Sequence, residues 1–427
     1  MKINLPFGNK KINFDADEKN IIFYGERTRL EPVKNIRETL SALLRNPIGS
    51  EPLSLLAEGK KNILFVVEDI TRATPLEEIV PVVADELNRA GIMDSMIKVL
   101  TAPGTHRLMT EAEMKKKYGS LLNRFTFIQH DATDASFIAD LGTVKAGEYS
   151  IPLHVNKALL EADFIIGFGS IVPHCNAGYS GGGKIILPGV CDFASTSAAH
   201  AAAAFCDEIP LGRTSGNPCR EAIDAAAERA GLSFIVNTVL DENNVPVGIF
   251  AGDPMPAHRE GVKLSGNAFS TEIPELADIV VASSYPADLD YWQGGKGLSA
   301  ASFAVKKGGI IILLSSCIEG MAENHDKYRD YLKMKPEELM EFIKNTDPRN
   351  TEADIVSAAV AAENHKILAG ATVFIVSEGL SDEDISALGF ERFSSVQEAF
   401  DEAGKRIKNA TTGILPYGGT TIPVIRK

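Results

Sequence analysis

Short apolar runs alternate along the chain with stretches in which apolar residues recur at helical spacing. The runs are predicted to be buried strands, at residues 62–68, 97–101, 163–167, 278–282, 309–314 and 372–376. A helix is predicted at 75–89, directly after the first strand. Because strands that alternate with helices form parallel sheets, the pattern predicts an α/β protein with mainly parallel sheets.

Polar residues mark where some of the helices begin. Thr110 and Glu113 have the spacing of a capping box, and so do Thr351 and Asp354 at the start of a later helix. A last helix is predicted near 394–408. These signals separate the helices from the strands that precede them.

The periodicity lapses at 266–274, which is where we expect one lobe to end and another to begin. Residues 413–419 resemble a segment that returns to the edge of a sheet. We therefore assign residues 1–268 and 409–427 to a first, cofactor-anchoring domain and 273–408 to a second. Two α/β lobes with an active-site cleft between them are expected.

Composition and charge narrow the classes of function. Hydrophobic residues make up 44% and charged residues 23%, which is typical of a globular protein. The net charge of −14 disfavours nucleic acid and acidic membranes as partners. Five cysteines without CxxC spacing indicate a reducing compartment. With neither a signal peptide nor a membrane-spanning run expected, the sequence predicts a cytoplasmic protein.

Ligands of open parallel sheets bind beyond the carboxyl ends of the strands. Polar side chains follow the predicted strands there, in segments 68–72, 105–107 and 170–176. His106 and His174 lie in two of these segments and are therefore candidates for a functional role. Other histidines lack polar neighbours at suggestive spacing and are predicted to be surface or core residues: His130, His154, His258, His325 and His365.

The glycine-rich segment 178–184 (GYSGGGK) invites comparison with a P-loop, because its backbone N–H groups could bind an anion. Ile185 stands where a P-loop has the hydroxyl that binds Mg²⁺, and the segment does not directly follow a strand. A phosphate-binding loop of a nucleotide-binding phosphotransferase and a plain flexible turn both remain open.

Other polar groups suggest metal or carboxylate binding. Ser195 and Thr196 are predicted to cap a helix whose macrodipole keeps His200 neutral and able to bind a metal, and three histidines from separate loops could bind zinc. Arg72 and Lys296 suit a small carboxylate if they face one cleft, and are otherwise a solvated surface pair. Trp292, beside Gln293, suits either a pocket wall or the core.

Together these segments resemble the nickel-dependent lactate racemase family. The resemblance covers essentially the whole chain and is carried by residues 69–72 (DITR), 104–107 (GTHR), 174–184 (HCNAGYSGGGK), His200 and 293–296 (QGGK). It implies that the protein is an isomerase that acts on a 2-hydroxy acid. It also implies that cofactor-synthesis enzymes are its partners.

The resemblance also implies a cofactor, the nickel-pincer nucleotide, a pyridinium mononucleotide that carries nickel. Lys184 would hold it through a thioamide, and His200 would be the protein ligand to nickel. The backbone of Gly181, Gly182 and Gly183 would serve the phosphate.

The remaining motifs would bind and convert the substrate. His106 and His174 would be the acid–base pair, Arg72 and Lys296 would hold the carboxylate, and Asp69 would orient His106 or contact the cofactor. Trp292 and Gln293 are assigned to the substrate pocket. A hydride acceptor is the economical way to invert a carbon that is a very weak acid.

One departure bears on the substrate. Lactate-specific members have a pocket tryptophan well downstream of the Lys296 loop, whereas here no tryptophan follows Trp292. The corresponding region, 354–362, offers aliphatic and small residues. The pocket is therefore expected to accept a side chain larger than methyl. Malate, a longer aliphatic acid and a sugar acid remain alternatives to lactate, as does a non-catalytic carrier of the cofactor.

Overall fold

The computed structural model describes residues 1–26, 28–322 and 325–426. Its strands are, in chain order, β1 (Lys2–Phe7), β2 (Lys10–Asp15), β3 (Ile21–Tyr24), β4 (Ile63–Glu68), β5 (Ile97–Ala102), β6 (Thr126–Gln129), β7 (Ile138–Ala146), β8 (Tyr149–Asn156), β9 (Phe164–Ser170), β10 (Pro173–His174), β11 (Gly178–Tyr179), β12 (Leu232–Leu240), β13 (Pro246–Gly252), β14 (Ser270–Ile273), β15 (Ala277–Ser283), β16 (Val305–Leu314), β17 (Ala371–Val376), β18 (Glu391–Arg392), β19 (Thr412–Leu415) and β20 (Ile422–Ile425).

Its helices are α1 (Ile36–Arg45), α2 (Leu53–Leu56), α3 (Leu76–Arg89), α4 (Glu111–Tyr118), α5 (Leu121–Arg124), α6 (Phe193–Ala204), α7 (Pro218–Arg229), α8 (Pro254–Phe269), α9 (Tyr291–Ser302), α10 (Tyr328–Lys333), α11 (Pro336–Asn345), α12 (Ile355–Leu368), α13 (Asp382–Leu388) and α14 (Val396–Arg406). Within the described ranges, no helix is both long and apolar enough to cross a membrane.

The first lobe is built on a sheet with the order β13-β12-β9-β4-β5-β6. Its strands run parallel except β13, which pairs antiparallel with β12. Phe65 in β4 lies between Val99 of β5 and Ile166 of β9, and all three side chains are buried. Because helices cover both faces, the strands are continuous apolar runs, which is why the sequence predicted β4, β5 and β9 correctly.

The second lobe is built on a sheet with the order β18-β17-β16-β15-β19-β3, parallel throughout. Strands β15, β16 and β17 confirm the three apolar runs predicted in the second half of the chain. The α/β class and the mainly parallel sheets are therefore confirmed.

Both ends of the chain contribute to the second lobe. Strand β19 lies inside the second sheet, next to β15, and β3 forms its edge. The segment expected to return to an edge of the first lobe is thus an interior strand of the second, because Ile414 and Leu415 are fully buried there. In addition, Ile3 and Phe14 of the β1–β2 hairpin pack into the apolar cluster that contains Ile414. The division into domains itself stays a prediction, and sheet membership favours placing β1–β3 and β19 with the second lobe.

Two local predictions differ from the structure. Helix α8 continues to Phe269 and β14 follows at once, so the expected lapse at 266–274 is a helix end joined to a strand. The capping box at Thr110 and Glu113 is confirmed, but the one expected at Thr351 is wrong. Asp354 adopts a left-handed backbone with φ +42°, which interrupts the helix, and it caps α12 through Ser357 N–H instead.

Candidate active site

A cavity of about 1460 Å³, including the solvent at its mouth, lies between the two lobes. The carboxyl ends of β4, β5 and β9 form one wall, and helices α9 and α12 form the other. The expected cleft is therefore present. Most predicted site residues line it, namely Asp69, Arg72, His106, His174, Gly181, Gly182, Lys184, His200, Trp292, Gln293 and Lys296.

Gly183 does not line the cavity, although it was predicted to contact the cofactor. A Cβ atom there would lie 2.7 Å from Ala227 Cβ and from Ile223 O, so the glycine permits close packing on α7. Gly181 and Gly182 have φ of +75° and +58°, the left-handed region that glycine tolerates. The Gly182 N–H is already used, because it donates to Asn237 Oδ1 at 2.7 Å.

The glycine segment does not have P-loop geometry. A P-loop leads from a strand directly into an α-helix whose N-terminus faces the phosphates. Here Gly182–Ile185 form a single 3₁₀ turn, and the next helix, α6, begins only at Phe193. No observation favours the phosphotransferase alternative.

His106 is paired with a carboxylate at the end of β4. Its Nδ1 lies 3.0 Å from Asp69 Oδ2, while Asp69 Oδ1 accepts hydrogen bonds from the hydroxyl of Thr71 at 2.5 Å and its N–H at 3.2 Å. Burial alone would raise the pKa of Asp69, but the hydrogen bonds from His106 and Thr71 outweigh it and lower the pKa. The carboxylate fixes the proton on Nδ1, so Nε2 of His106 is the free proton acceptor.

His174 is held in the opposite way. Its Nδ1 accepts the backbone N–H groups of Asn176 at 3.2 Å and Ala177 at 3.3 Å. Burial and the charges of Lys184 and Lys296 hold the pKa of His174 well below its usual range. The neutral ring therefore carries its proton on Nε2, and only Nε2 is available to a ligand.

Three cations face the same cavity. Burial, with the charge of Arg72, holds the pKa of Lys184 well below its usual range, and the same two causes lower the pKa of Lys296 to about 8. Lys296 Nζ donates to Gln293 Oε1 at 2.6 Å. Among the described residues, none of these cations forms an ion pair with a carboxylate. The cavity is therefore suited to anionic groups.

His200 lies in the interior of α6, not near its start. Asp192 caps the helix by accepting Ser195 N–H, so the prediction that Ser195 and Thr196 cap it is wrong. Burial, rather than the helix dipole, lowers the pKa of His200 to about 4. Its Nδ1 lies 2.8 Å from Thr196 O and must donate to it, which leaves the Nε2 lone pair free.

The histidines do not form the three-histidine zinc site considered from the sequence. Across residues 1–26, 28–322 and 325–426, no group of three or more His, Cys, Asp or Glu side chains could hold a metal ion. A single histidine ligand is what the chain itself offers at His200.

The second-lobe wall contains a histidine that the sequence analysis dismissed. His325 lines the cavity and stacks on Trp292, with ring centroids 3.8 Å apart and an interplanar angle of 12°. Tyr328 packs edge-on against Trp292, with the two ring centroids 5.3 Å apart. The stack assigns Trp292 to the pocket wall, and the prediction of a surface or core role for His325 is wrong.

Glu363, on α12, is a second residue that sequence reasoning missed. It is buried, lines the cavity, and its Oε1 has no hydrogen-bond partner in the described part of the chain. Burial raises its pKa to about 7. Val356 and Val360 also line the cavity, at helical spacing from Glu363. The spacing places an acidic residue on an otherwise apolar helix face, and this pattern was the signal that could have identified Glu363.

Comparisons with known proteins bear directly on this arrangement. The model of the lactate racemase N-terminal domain matches residues 7–210, and that of the lactate racemase C-terminal domain matches residues 273–422. The lactate racemase of Thermoanaerobacterium thermosaccharolyticum is 32% identical, with 98% of each chain covered. The chain belongs to the lactate racemase family.

Further comparisons agree with this membership. The lactate racemase of Lactiplantibacillus plantarum is also 32% identical, over 97% of this chain and 98% of that protein. The structure of the lactate racemase apoprotein from T. thermosaccharolyticum superposes with a TM-score of 0.88 at 30% identity, and all of both chains is covered. A protein from Thermotoga maritima, at 22% identity and a TM-score of 0.67, shares the fold.

Membership in the lactate racemase family makes the chain an isomerase of the racemase class. The resemblance stated from the motifs at residues 69–72, 104–107, 174–184 and 293–296 is thereby confirmed. The roles of the individual side chains stay predictions.

Proposed function

We propose that this member of the lactate racemase family racemises or epimerises a 2-hydroxy acid by reversible hydride transfer, using a nickel-pincer nucleotide tethered to Lys184. One observation carries the proposal: the histidines His106 and His174 share a cavity with the cations Arg72, Lys296 and Lys184. Acid–base groups and carboxylate-binding groups thus lie within reach of one small anion.

The cavity residues fit such a cofactor. Its lowered pKa leaves Lys184 with a larger neutral, nucleophilic fraction, which suits a covalent attachment. Asn176 Oδ1 is buried at the cavity without a hydrogen-bond partner among the described residues. His200 offers a free Nε2 to nickel, and Gly181 and Gly182 bring bare backbone to the cavity. When bound, such a cofactor would supply a reversible acceptor for the hydride of the substrate.

The side chains of this protein bind the substrate and move its hydroxyl proton. Arg72 and Lys296, from opposite lobes, bind the carboxylate and fix its orientation. For one enantiomer, His106 Nε2 takes the hydroxyl proton, and Asp69 stabilises the imidazolium that forms. His174 is the proposed acid–base partner for the other enantiomer. As held here its Nε2 carries the proton and donates to the substrate oxygen, so taking a proton there requires the ring to turn away from the backbone N–H groups of Asn176 and Ala177. Between the two half-reactions the substrate is a 2-keto acid.

The residues that line the cavity favour a substrate whose side chain is larger than the methyl group of lactate. The two curated relatives are lactate racemases. Here the α12 face that lines the cavity carries Val356 and Val360 and no tryptophan, which leaves space beyond a methyl group. Malate, a longer aliphatic acid or a sugar acid are the candidates. All five cysteines are free, which agrees with a cytoplasmic location beside the cofactor-synthesis enzymes.

The test is chiral chromatography of a 2-hydroxy acid panel after incubation with protein produced together with the cofactor-synthesis enzymes and nickel. The panel contains D- and L-lactate, 2-hydroxybutyrate, malate, phenyllactate, glycerate and gluconate. Wild type should invert at least one acid, and Lys184→Ala should invert none. Lys306→Ala is the matched control, because Lys306 pairs with Asp278 outside the cavity. No inversion by wild type that carries the added mass of the cofactor would contradict the proposed substrate class.

A further inference from the structure

His325 is held in one orientation by three contacts. Its ring stacks on Trp292, and its Nδ1 lies 3.2 Å from Asp354 Oδ2 and 3.0 Å from Ser357 Oγ. The side chain is only 18% exposed and lines the cavity. A half-buried polar ring that is fixed at a pocket wall has a defined atom to offer a ligand.

The hydrogen bonds identify that atom. The Ser357 hydroxyl donates to Asp354 Oδ2, so its oxygen can only accept from His325. Both neighbours of Nδ1 are therefore acceptors, and Nδ1 must carry the proton. In the neutral ring Nε2 is an acceptor, which suits the O–H group of a ligand.

The net charge of His325 and Asp354 together decides which kind of ligand group they can bind. Hydrogen bonds from His325 and Ser357 lower the pKa of Asp354 although burial alone would raise it, so the carboxylate stays ionised. Even a protonated His325 would be neutralised by Asp354. The pair thus offers no excess positive charge to a second carboxylate, and a neutral hydroxyl is the better match.

Helix α9 relates the position of His325 to that of Lys296. Trp292 and Lys296 are four residues apart on this helix and share one face. His325 stacks on Trp292, so it lines the same cavity wall as the ammonium group proposed to hold the substrate carboxylate. A hydroxyl close to the carboxylate end of the substrate could therefore reach it.

Building on the proposed function, we propose that His325 is a specificity-determining residue that accepts a hydrogen bond from a hydroxyl on the substrate side chain. The pocket therefore prefers 2-hydroxy acids that carry a further hydroxyl group over plain aliphatic ones. An aliphatic side chain in the same place would leave Nε2 buried and unpaired, which weakens binding.

The test compares lactate with glycerate, which differ by one hydroxyl group, on holoenzyme of wild type and His325→Phe. Phenylalanine keeps the stacking on Trp292 and removes the acceptor. We expect kcat/KM for glycerate to exceed that for lactate in wild type. In the variant, kcat/KM should fall about tenfold for glycerate and rise for lactate, because no unpaired Nε2 is left. An unchanged ratio between the two acids would overturn the specificity role and leave the proposed function standing.

A binding readout keeps the two proposals apart. Trp292 is the only tryptophan, so its fluorescence reports ligands next to His325 without any turnover. Glycerate should bind more tightly than lactate to wild type, and equally tightly to His325→Phe. Equal affinity in wild type would overturn the role of His325. Preferential binding without inversion of any acid would instead contradict the proposed reaction.

Discussion

The two walls of the cavity are built in different ways. On the first-lobe wall, polar side chains follow the carboxyl ends of β4, β5 and β9, and they are tied to their neighbours, as His106 is to Asp69. On the second-lobe wall, the side chains stand on the faces of helices α9 and α12 or stack beside them. The first wall orients the histidines proposed as acid–base groups, whereas the second presents Lys296, an aromatic surface and Glu363.

This contrast implies a division of labour. Loops after parallel strands converge at one edge of the sheet, so they can hold several reacting groups in fixed geometry. A helix face presents side chains that change with few consequences for the fold. Changes to the first-wall histidines and their partners should therefore alter kcat, and changes on the second wall should alter substrate binding or stability.

The largest effect is expected for His106→Ala. Loss of the proton acceptor should lower kcat by about 10²–10⁴-fold. The variant should still carry the cofactor mass at Lys184, because His106 takes no part in its attachment. Steady-state kinetics with intact-mass measurement checks both. Undiminished kcat would remove His106 from the acid–base pair.

Asp69→Asn should have a smaller effect of the same kind. The amide cannot hold the proton on His106 Nδ1 as the carboxylate does, so kcat should fall about 10²-fold through misplacement of the base. KM should stay close to that of wild type, since Asp69 acts through His106. A rise in KM with unchanged kcat would show instead that Asp69 contacts the substrate.

On the second wall, Lys296 should give the reaction a pH dependence. A pKa of about 8 means that the ammonium group is present below pH 8 and is lost above it. The kcat/KM of wild type should therefore fall about fivefold between pH 8 and pH 9. Lys296→Arg keeps its charge in this range and should remove the fall. The same fall in the arginine variant would assign it to another group.

Glu363→Gln should give the smallest change, and the quantity that changes is the stability of the fold. A carboxyl whose pKa is raised in the folded state from 4.5 to about 7 costs stability as the pH rises through that window. The variant should be about 1–3 kcal/mol more stable than wild type at pH 8 and little different at pH 5, by urea unfolding. The control is Glu352→Gln, an exposed carboxylate on the same lobe. Equal gains in both variants would contradict the role of burial.

The sequence predicted the first wall better than the second. Buried parallel strands are continuous apolar runs, so β4, β5 and β9 and the polar residues that follow them could be located directly. His325 and Glu363 lie in no motif, and only the fold brings them to the cavity. The cap of α6 was misplaced because Ser195 and Thr196 are as good caps in isolation as Asp192. Strand β19 was misassigned because sequence order does not say which sheet a terminal strand joins.

The central claim is that hydride leaves and returns to the same carbon of the substrate. The most direct measurement is inversion of one enantiomer in D₂O, followed by mass spectrometry of the inverted product. Hydride transfer predicts that hydrogen at C2 is retained, because the proton that exchanges with His106 belongs to the hydroxyl group. Deuterium at C2 of the inverted product would show that a proton is removed from carbon, and would contradict the account.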